Sequence, residues 1–190
     1  MKKSDCNITV LFPGGFKPLN GAHINLINRY LEHPSVKKIV LFISPSKRDF
    51  IEVDDAHEII KILLPNPNIE IVLDEKSYSP ILAIYRWVEM SVREPGVYVL
   101  AASSKNDDYN RVKEFTKNYK IENFGKNLPS GVVVDELLMD VEPLKYEDGE
   151  FISSSIVRDC IKTNNYKKFK ESYPNVSDHN IQFIWNKLKK

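Results

Sequence analysis

Apolar residues in this chain gather in short β-branched runs that alternate with longer stretches of helical spacing. Runs bounded by turn residues read as strands at 8–12 (ITVLF), 38–43 (KIVLFI), 69–73 (IEIVL), 97–102 (VYVLAA) and 132–138 (VVVDELL). The second and fourth are almost wholly apolar, as in strands covered on both faces. Between them, Ile24, Ile27 and Leu31 mark a helix after Gly21. The stretch DDAHEIIKILL predicts a second helix capped by Asp54. SPILAIYRWVEM places Ser79 at a cap and Pro80 at the first helical position, and NDDYNRVKEFTKNY reads as a helix capped by Asn106.

Strand alternating with helix implies parallel strands joined by crossovers: an α/β, Rossmann-like, doubly wound sheet of about five strands. After the fifth strand the alternation stops. SSSIVRDCI, YKKFKESY and DHNIQFIWNKL predict a short C-terminal helical extension, and Ile181, Ile184, Trp185 and Leu188 form an apolar stripe that docks on the sheet. The expected organisation is one domain over 1–190, with an α/β core at 7–160 and helices at 161–190. Residues 117–131 form the longest loop, a candidate mobile flap. Trp87 reads as core.

A length of 190 residues with 42% hydrophobic and 28% charged residues supports a core without disulfide or metal staples. A net charge of +1 makes no electrostatic case for nucleic-acid or membrane binding. The two cysteines, Cys6 and Cys160, form no disulfide framework and no zinc pattern. The N-terminal apolar run is too short for a secretory leader, and no run is long enough to span a bilayer. A cytoplasmic protein is expected, with a homo-oligomer open.

The segment FPGGFKPLNGAHINLI follows the first strand, where open α/β sheets bind ligands. Gly14 and Gly15 allow close approach of the backbone, Pro18 stiffens the loop, and His23 falls in the first helical turn, where unpaired N–H groups favour an anion. A second helix start, GEFISSSIVRDCI, has Ser153 as cap, hydroxyls at Ser154 and Ser155, and Arg158 one turn inside. Basic residues also follow the second strand (Lys47, Arg48) and the fourth (Lys105 and Arg111, beside Ser103 and Ser104).

GGFKPLNGAH resembles the G-x-F-x-P-x-[HT]-x-G-H signature of the nucleotidyltransferase α/β phosphodiesterase superfamily, with Gly14, Phe16, Pro18 and His23 in register. Asn20 stands where the family has His or Thr, and Ala22 where it has Gly. Ile152, Ser153, Ser154, Ser155, Val157 and Arg158 resemble the second signature, I-S-[ST]-[ST]-x-[IV]-R. The resemblance implies transfer of a nucleotidyl group from a nucleoside triphosphate to a phosphate monoester. Gly14, Gly15, Phe16, His23, Ser153, Ser154, Ser155 and Arg158 would then bind nucleotide. His23, Asn20 and Lys47 would act on the reacting phosphates, Lys17 and Arg48 would meet the acceptor, and Mg²⁺ would bridge phosphates. Cytidylyltransferases of the family carry an Arg-Thr pair before the serines. Glu147 and Asp148 stand here instead, favouring ATP. The motifs resemble those of nicotinamide-mononucleotide and phosphopantetheine adenylyltransferases, the former preferred. Other readings are cytidylyl transfer, a nucleotide-binding scaffold without turnover, a class I aminoacyl-tRNA-synthetase-like domain and a flavodoxin-like binding domain. The chain leaves no room for a sizeable tRNA-binding module and is not basic, and a flavodoxin-like domain leaves the serine motif unexplained.

Overall fold

The structure, a computed structural model, describes residues 7–90, 94–102, 106–120 and 123–189. In chain order its elements are β1 (Ile8–Gly14), α1 (Gly21–Leu31), β2 (Val36–Ile43), α2 (Val53–Leu63), β3 (Ile69–Leu73), α3 (Pro80–Met90), β4 (Gly96–Leu100), α4 (Asn106–Asn118), a 3₁₀ turn (Phe124–Asn127), β5 (Val132–Asp135), α5 (Ser154–Lys162), α6 (Tyr166–Glu171) and α7 (Asp178–Leu188). The strands form one sheet in the order β3-β2-β1-β4-β5, each pair parallel. Strand order reverses at β1, so the crevice between the carboxyl ends of β1 and β4 is the natural ligand position.

Alternation along the central strands builds a core on each face. Val10 and Phe12 of β1 join Ile39, Leu41 and Ile43 of β2 on the side covered by α1, α2 and α5 to α7. Leu11, Val40 and Phe42 point the other way, onto Ala83, Ile84 and Val88 of α3 and Val112 and Phe115 of α4. Each fully buried Leu, Ile or Val contributes about 1.5–3 kcal/mol, which is why the near-continuous apolar runs belong at the sheet centre. Trp87 packs edge-on to Phe42 at 5.7 Å, partly buried against this core. The stripe on α7 is buried at Ile181, Ile184, Trp185 and Leu188. Lys187 of the same helix pairs with Asp55 at 3.4 Å and Glu58 at 2.7 Å on α2.

Several expectations change. Asp54 is not a cap: α2 begins at Val53 with Glu52 before it, and Asp54 and Asp55 lie in the first turn. Glu52 makes no capping bond because its carboxylate is held by Lys47. Helix α4 begins at Asn106 itself, so Asn106 is its first residue and not its cap, and Cys6, Ser103, Ser104 and Lys105 lie outside the described residues. β5 stops at Asp135 because it pairs with β4 only from Gly96 to Val99. The described residues of 117–131 do not lie over the site. They join the end of α4 to the start of β5, at the amino edge of the sheet, where Gly125 N–H donates to Lys120 O and Gly96 N–H to Gly131 O. Among the described residues no helix is long and apolar enough to cross a membrane.

Candidate functional site

The loop after β1 is organised from beneath. A Cβ on Gly14 would lie 2.4 Å from the Phe16 ring, so the glycine makes room for that side chain. Phe16, with φ +47°, is wedged edge-on between Phe12 at 5.5 Å and His23 at 5.3 Å. It is a buried buttress for the histidine. Lys17 is only 1% exposed, and its ammonium donates to Ser44 O, at the end of β2, at 2.5 Å. Burial, and then the charge of Arg48, push the Lys17 pKa below its ordinary value. The Lys17–Pro18 peptide is cis.

Asn20 is the N-cap of α1. Its Oδ1 accepts from Ala22 N–H at 3.1 Å and His23 N–H at 3.3 Å, and His23 Nδ1 accepts from Asn20 N–H at 3.3 Å, a reciprocal capping box. Because Nδ1 is an acceptor, the neutral imidazole carries its proton on Nε2, the nitrogen able to donate to a ligand oxygen. The Asn20 amide then reaches across the chain, donating from Nδ2 to Ser154 Oγ at 3.2 Å, and Ser154 Oγ donates to Pro18 O at 2.9 Å. The two motifs are thus one hydrogen-bonded unit, with the N-termini of α1 and α5 side by side.

Those helix ends differ in what they offer. The first N–H of α1, at Gly21, donates to Ser172 O at 2.8 Å, and the next two are taken by Asn20. At α5, Ser153 Oγ accepts from Ile156 N–H at 3.4 Å and shares a 2.9 Å bond with Ser155 Oγ. Among the described residues, no protein acceptor takes the N–H of Ser154 or Ser155. The open backbone donors therefore lie at α5, and α1 contributes its histidine.

A cavity of about 300 Å³ opens at this point. Asn20, Ala22, His23, Ser153 and Ser154 line it, together with Phe12 and Pro13 of β1 and Ala101 and Ala102 just past β4. Arg111 of α4 lines it as well. Gly14, Gly15, Phe16, Lys17, Lys47, Arg48, Ser155 and Arg158 stand outside this lining. Lys47 is exposed and paired with Glu52, and Arg48 bridges through its backbone to Ile51. Arg158, expected to aim its fork at a polyphosphate, is 7% exposed, with Nε on Asp49 at 2.5 Å and Nη1 on Lys17 O at 2.8 Å. It ties α5 to both the β1 and the β2 loops.

Sequence reasoning missed the outer wall, which includes Val141, Glu142, Pro143, Leu144 and Phe151. The last residues form a small hairpin, with Ile152 N–H on Leu144 O at 3.0 Å and Gly149 at φ +86°. The Asp148-Gly149 dipeptide between apolar positions was the available signal. Tyr30 was missed too. Its buried hydroxyl donates to Leu137 O at 3.0 Å and accepts from Ala102 N–H at 3.3 Å, and burial pushes its pKa up to about 12.

No family model matches the sequence, and comparison with curated proteins finds no match. Solved structures do match. One is Plasmodium falciparum nicotinic acid mononucleotide adenylyltransferase complexed with APC, at 18% identity, TM-score 0.57 and 95% coverage of each chain. The likeness is one of fold. The same enzyme complexed with NaAD matches at 18% identity and TM-score 0.55, again over 95% of each chain. The shared fold spans both signatures and the C-terminal helices of this chain.

Proposed function

We propose that this protein transfers an AMP group from ATP to a small phosphate-monoester acceptor with release of pyrophosphate, most similarly to the pyridine-mononucleotide adenylyltransferases. The observation that carries the reading is the Asn20–Ser154–Pro18 chain, which sets His23 and the open end of α5 on one cavity at the switch point. The acceptor's phosphate oxygen attacks the α-phosphorus in line. The bond from that phosphorus to the pyrophosphate oxygen breaks, and pyrophosphate leaves as an anion. The attacking phosphate is already ionised at neutral pH, so catalysis is positioning and stabilisation of charge.

In this reading His23 Nε2–H donates to an α-phosphate oxygen. The N–H groups of Ser154 and Ser155 and the hydroxyls of Ser153 to Ser155 hold the outer phosphates at the positive end of α5. Lys47 and Arg48, on the loop after β2, meet the acceptor's phosphate once Lys47 leaves Glu52. Asn20 organises both jaws. Gly14, Phe16, Lys17 and Arg158 shape the loop from below, and Gly15 leaves open space beside it. Among the described residues no cluster of three metal-ligating side chains exists, and Glu142 is the carboxylate in the cavity lining. That donor set fits Mg²⁺ carried mainly by the substrate's phosphates, with Glu142 as its protein carboxylate. The ion would neutralise phosphate charge. A cytoplasmic setting accords with the free, buried thiol of Cys160.

The test is pyrophosphate release with Mg·ATP against nicotinate and nicotinamide mononucleotides, phosphopantetheine and simple sugar phosphates, with CTP in parallel. Turnover with ATP and a pyridine mononucleotide is expected. ATP binding without turnover on any acceptor would replace the transferase by a scaffold that kept the clamp.

A further inference from the structure

The cavity's outer wall has no place in the sheet, and the C-terminal helices hold it. In the hairpin, Tyr146 N–H donates to Glu150 O at 2.8 Å, and Leu144, Phe151 and Ile152 turn towards the cavity. On its other side lies Lys168 of α6. The Lys168 ammonium bonds Asp148 at 2.8 Å and Glu150 at 2.9 Å, and sits 4.7 Å from the centre of the Tyr146 ring. One cation thus grips both sides of the turn. Two residues past Lys170, Ser172 is fully buried, and its hydroxyl shares a 2.7 Å bond with Tyr146 OH. The backbone oxygen of Ser172 is the acceptor for the first N–H of α1. A single short segment therefore fixes the wall of the cavity and the entrance of the histidine helix together.

We propose that Lys168 is a positioning residue for the nucleotide: it clasps the 144–152 hairpin against the cavity, so that the C-terminal helices set triphosphate affinity. The inference rests on the adenylyl-transfer reading. Lys168 lines no part of the cavity and touches no reacting atom. It acts through Leu144, Phe151 and Ile152. The carboxylates of Asp148 and Glu150 are half exposed, so the clasp is of the kind that salt loosens. A closed wall costs no further ordering when ligand enters, and a loosened wall must be ordered at the expense of binding. The effect belongs in KM for the triphosphate, with kcat spared.

Lys168→Met and Lys168→Arg in the full chain test this, with Asp148→Asn/Glu150→Gln as a second disruption from the hairpin side. Expected for Lys168→Met is roughly fivefold to tenfold faster amide exchange at Tyr146 and Ile152, the scale of two partly exposed ion pairs. KM for ATP should rise by a similar factor with kcat within about twofold, and the arginine should restore both. Raised salt should increase KM of the wild type more than that of Lys168→Met. Unchanged KM in both disrupted variants, whatever the amide exchange does, overturns the clasp. Wild-type protein that binds no triphosphate overturns the transfer reading and this inference together, and is told apart by that control.

Discussion

Asn20 and Ser154, 134 positions apart, are joined by a 3.2 Å hydrogen bond between the amide of one and the hydroxyl of the other. Asn20 is 1% exposed and has its oxygen in the α1 cap, so this residue carries both jaws of the site. Asn20→Ala removes the cap and the donor to Ser154. Losing a cap of this type costs about 1 kcal/mol, and the severed cross-link adds to it. Denaturant unfolding should show a loss of ~1–2 kcal/mol, and Asn20→Thr, which keeps a cap oxygen, a smaller one. Equal stability of wild type and Asn20→Ala would remove the cap from the account.

His23 has two tasks that substitution can separate. Its Nδ1 closes the capping box, and its Nε2–H is assigned to the α-phosphate. Glutamine is the usual partner at this position of such a box, so His23→Gln should keep stability within about 0.5 kcal/mol of the wild type. Turnover should still fall by at least ~100-fold, the usual loss for one oxyanion donor. Parallel unfolding curves and kinetics decide the matter, and retained turnover would shift the donor role elsewhere.

Gly21 is crowded by the C-terminal segment. A Cβ there would lie 2.6 Å from Pro174 Cδ and 2.7 Å from Ser172 O. Backbone cannot yield as a flexible side chain does, so Gly21→Ala should destabilise by about 1–3 kcal/mol despite alanine's better helix propensity. A thermal melt suffices, and a stabilised variant would contradict the geometry.

Acid should loosen the inter-loop ties. Hydrogen bonds from Lys162 and Arg158 hold the Asp49 carboxyl below its ordinary range, and those from Lys168 and the Glu150 N–H do so for Asp148. Both folded values lie below the unfolded one, so the unfolded chain takes up protons first as pH drops. Their contribution is whole above the ordinary carboxyl value of ~3.9 and disappears as pH falls through the folded values. Denaturant midpoints should therefore be nearly level from neutral pH to about 5 and decline below it, and Asp49→Asn should flatten part of the decline. A midpoint that declines identically in the variant would discharge Asp49 from this role.

The strands were legible because burial on both faces demands continuous apolar runs, as at 38–43, and the C-terminal stripe because Ile181 to Leu188 repeats with the helical period. The site was legible as far as helix starts announce themselves: Ser153 caps α5 as read, and His23 stands in the first turn of α1. Side-chain direction was not. Lys17 and Arg158 turn inward because their partners, Ser44 O and Asp49, come from other parts of the chain. Local spacing carries no record of such meetings. The Asp54 cap failed because α2 begins one residue earlier, at Val53, which puts Asp54 in its first turn.

The bond from Gly21 N–H to Ser172 O gives the site an order of assembly. Translation delivers the first signature early and the acceptor for its helix late. A nascent chain can lay down β1 and α1 while the entrance to that helix still lacks its partner. Only when Ser172 has left the ribosome can the first jaw set, so the two ends of that bond wait for each other across most of the described chain.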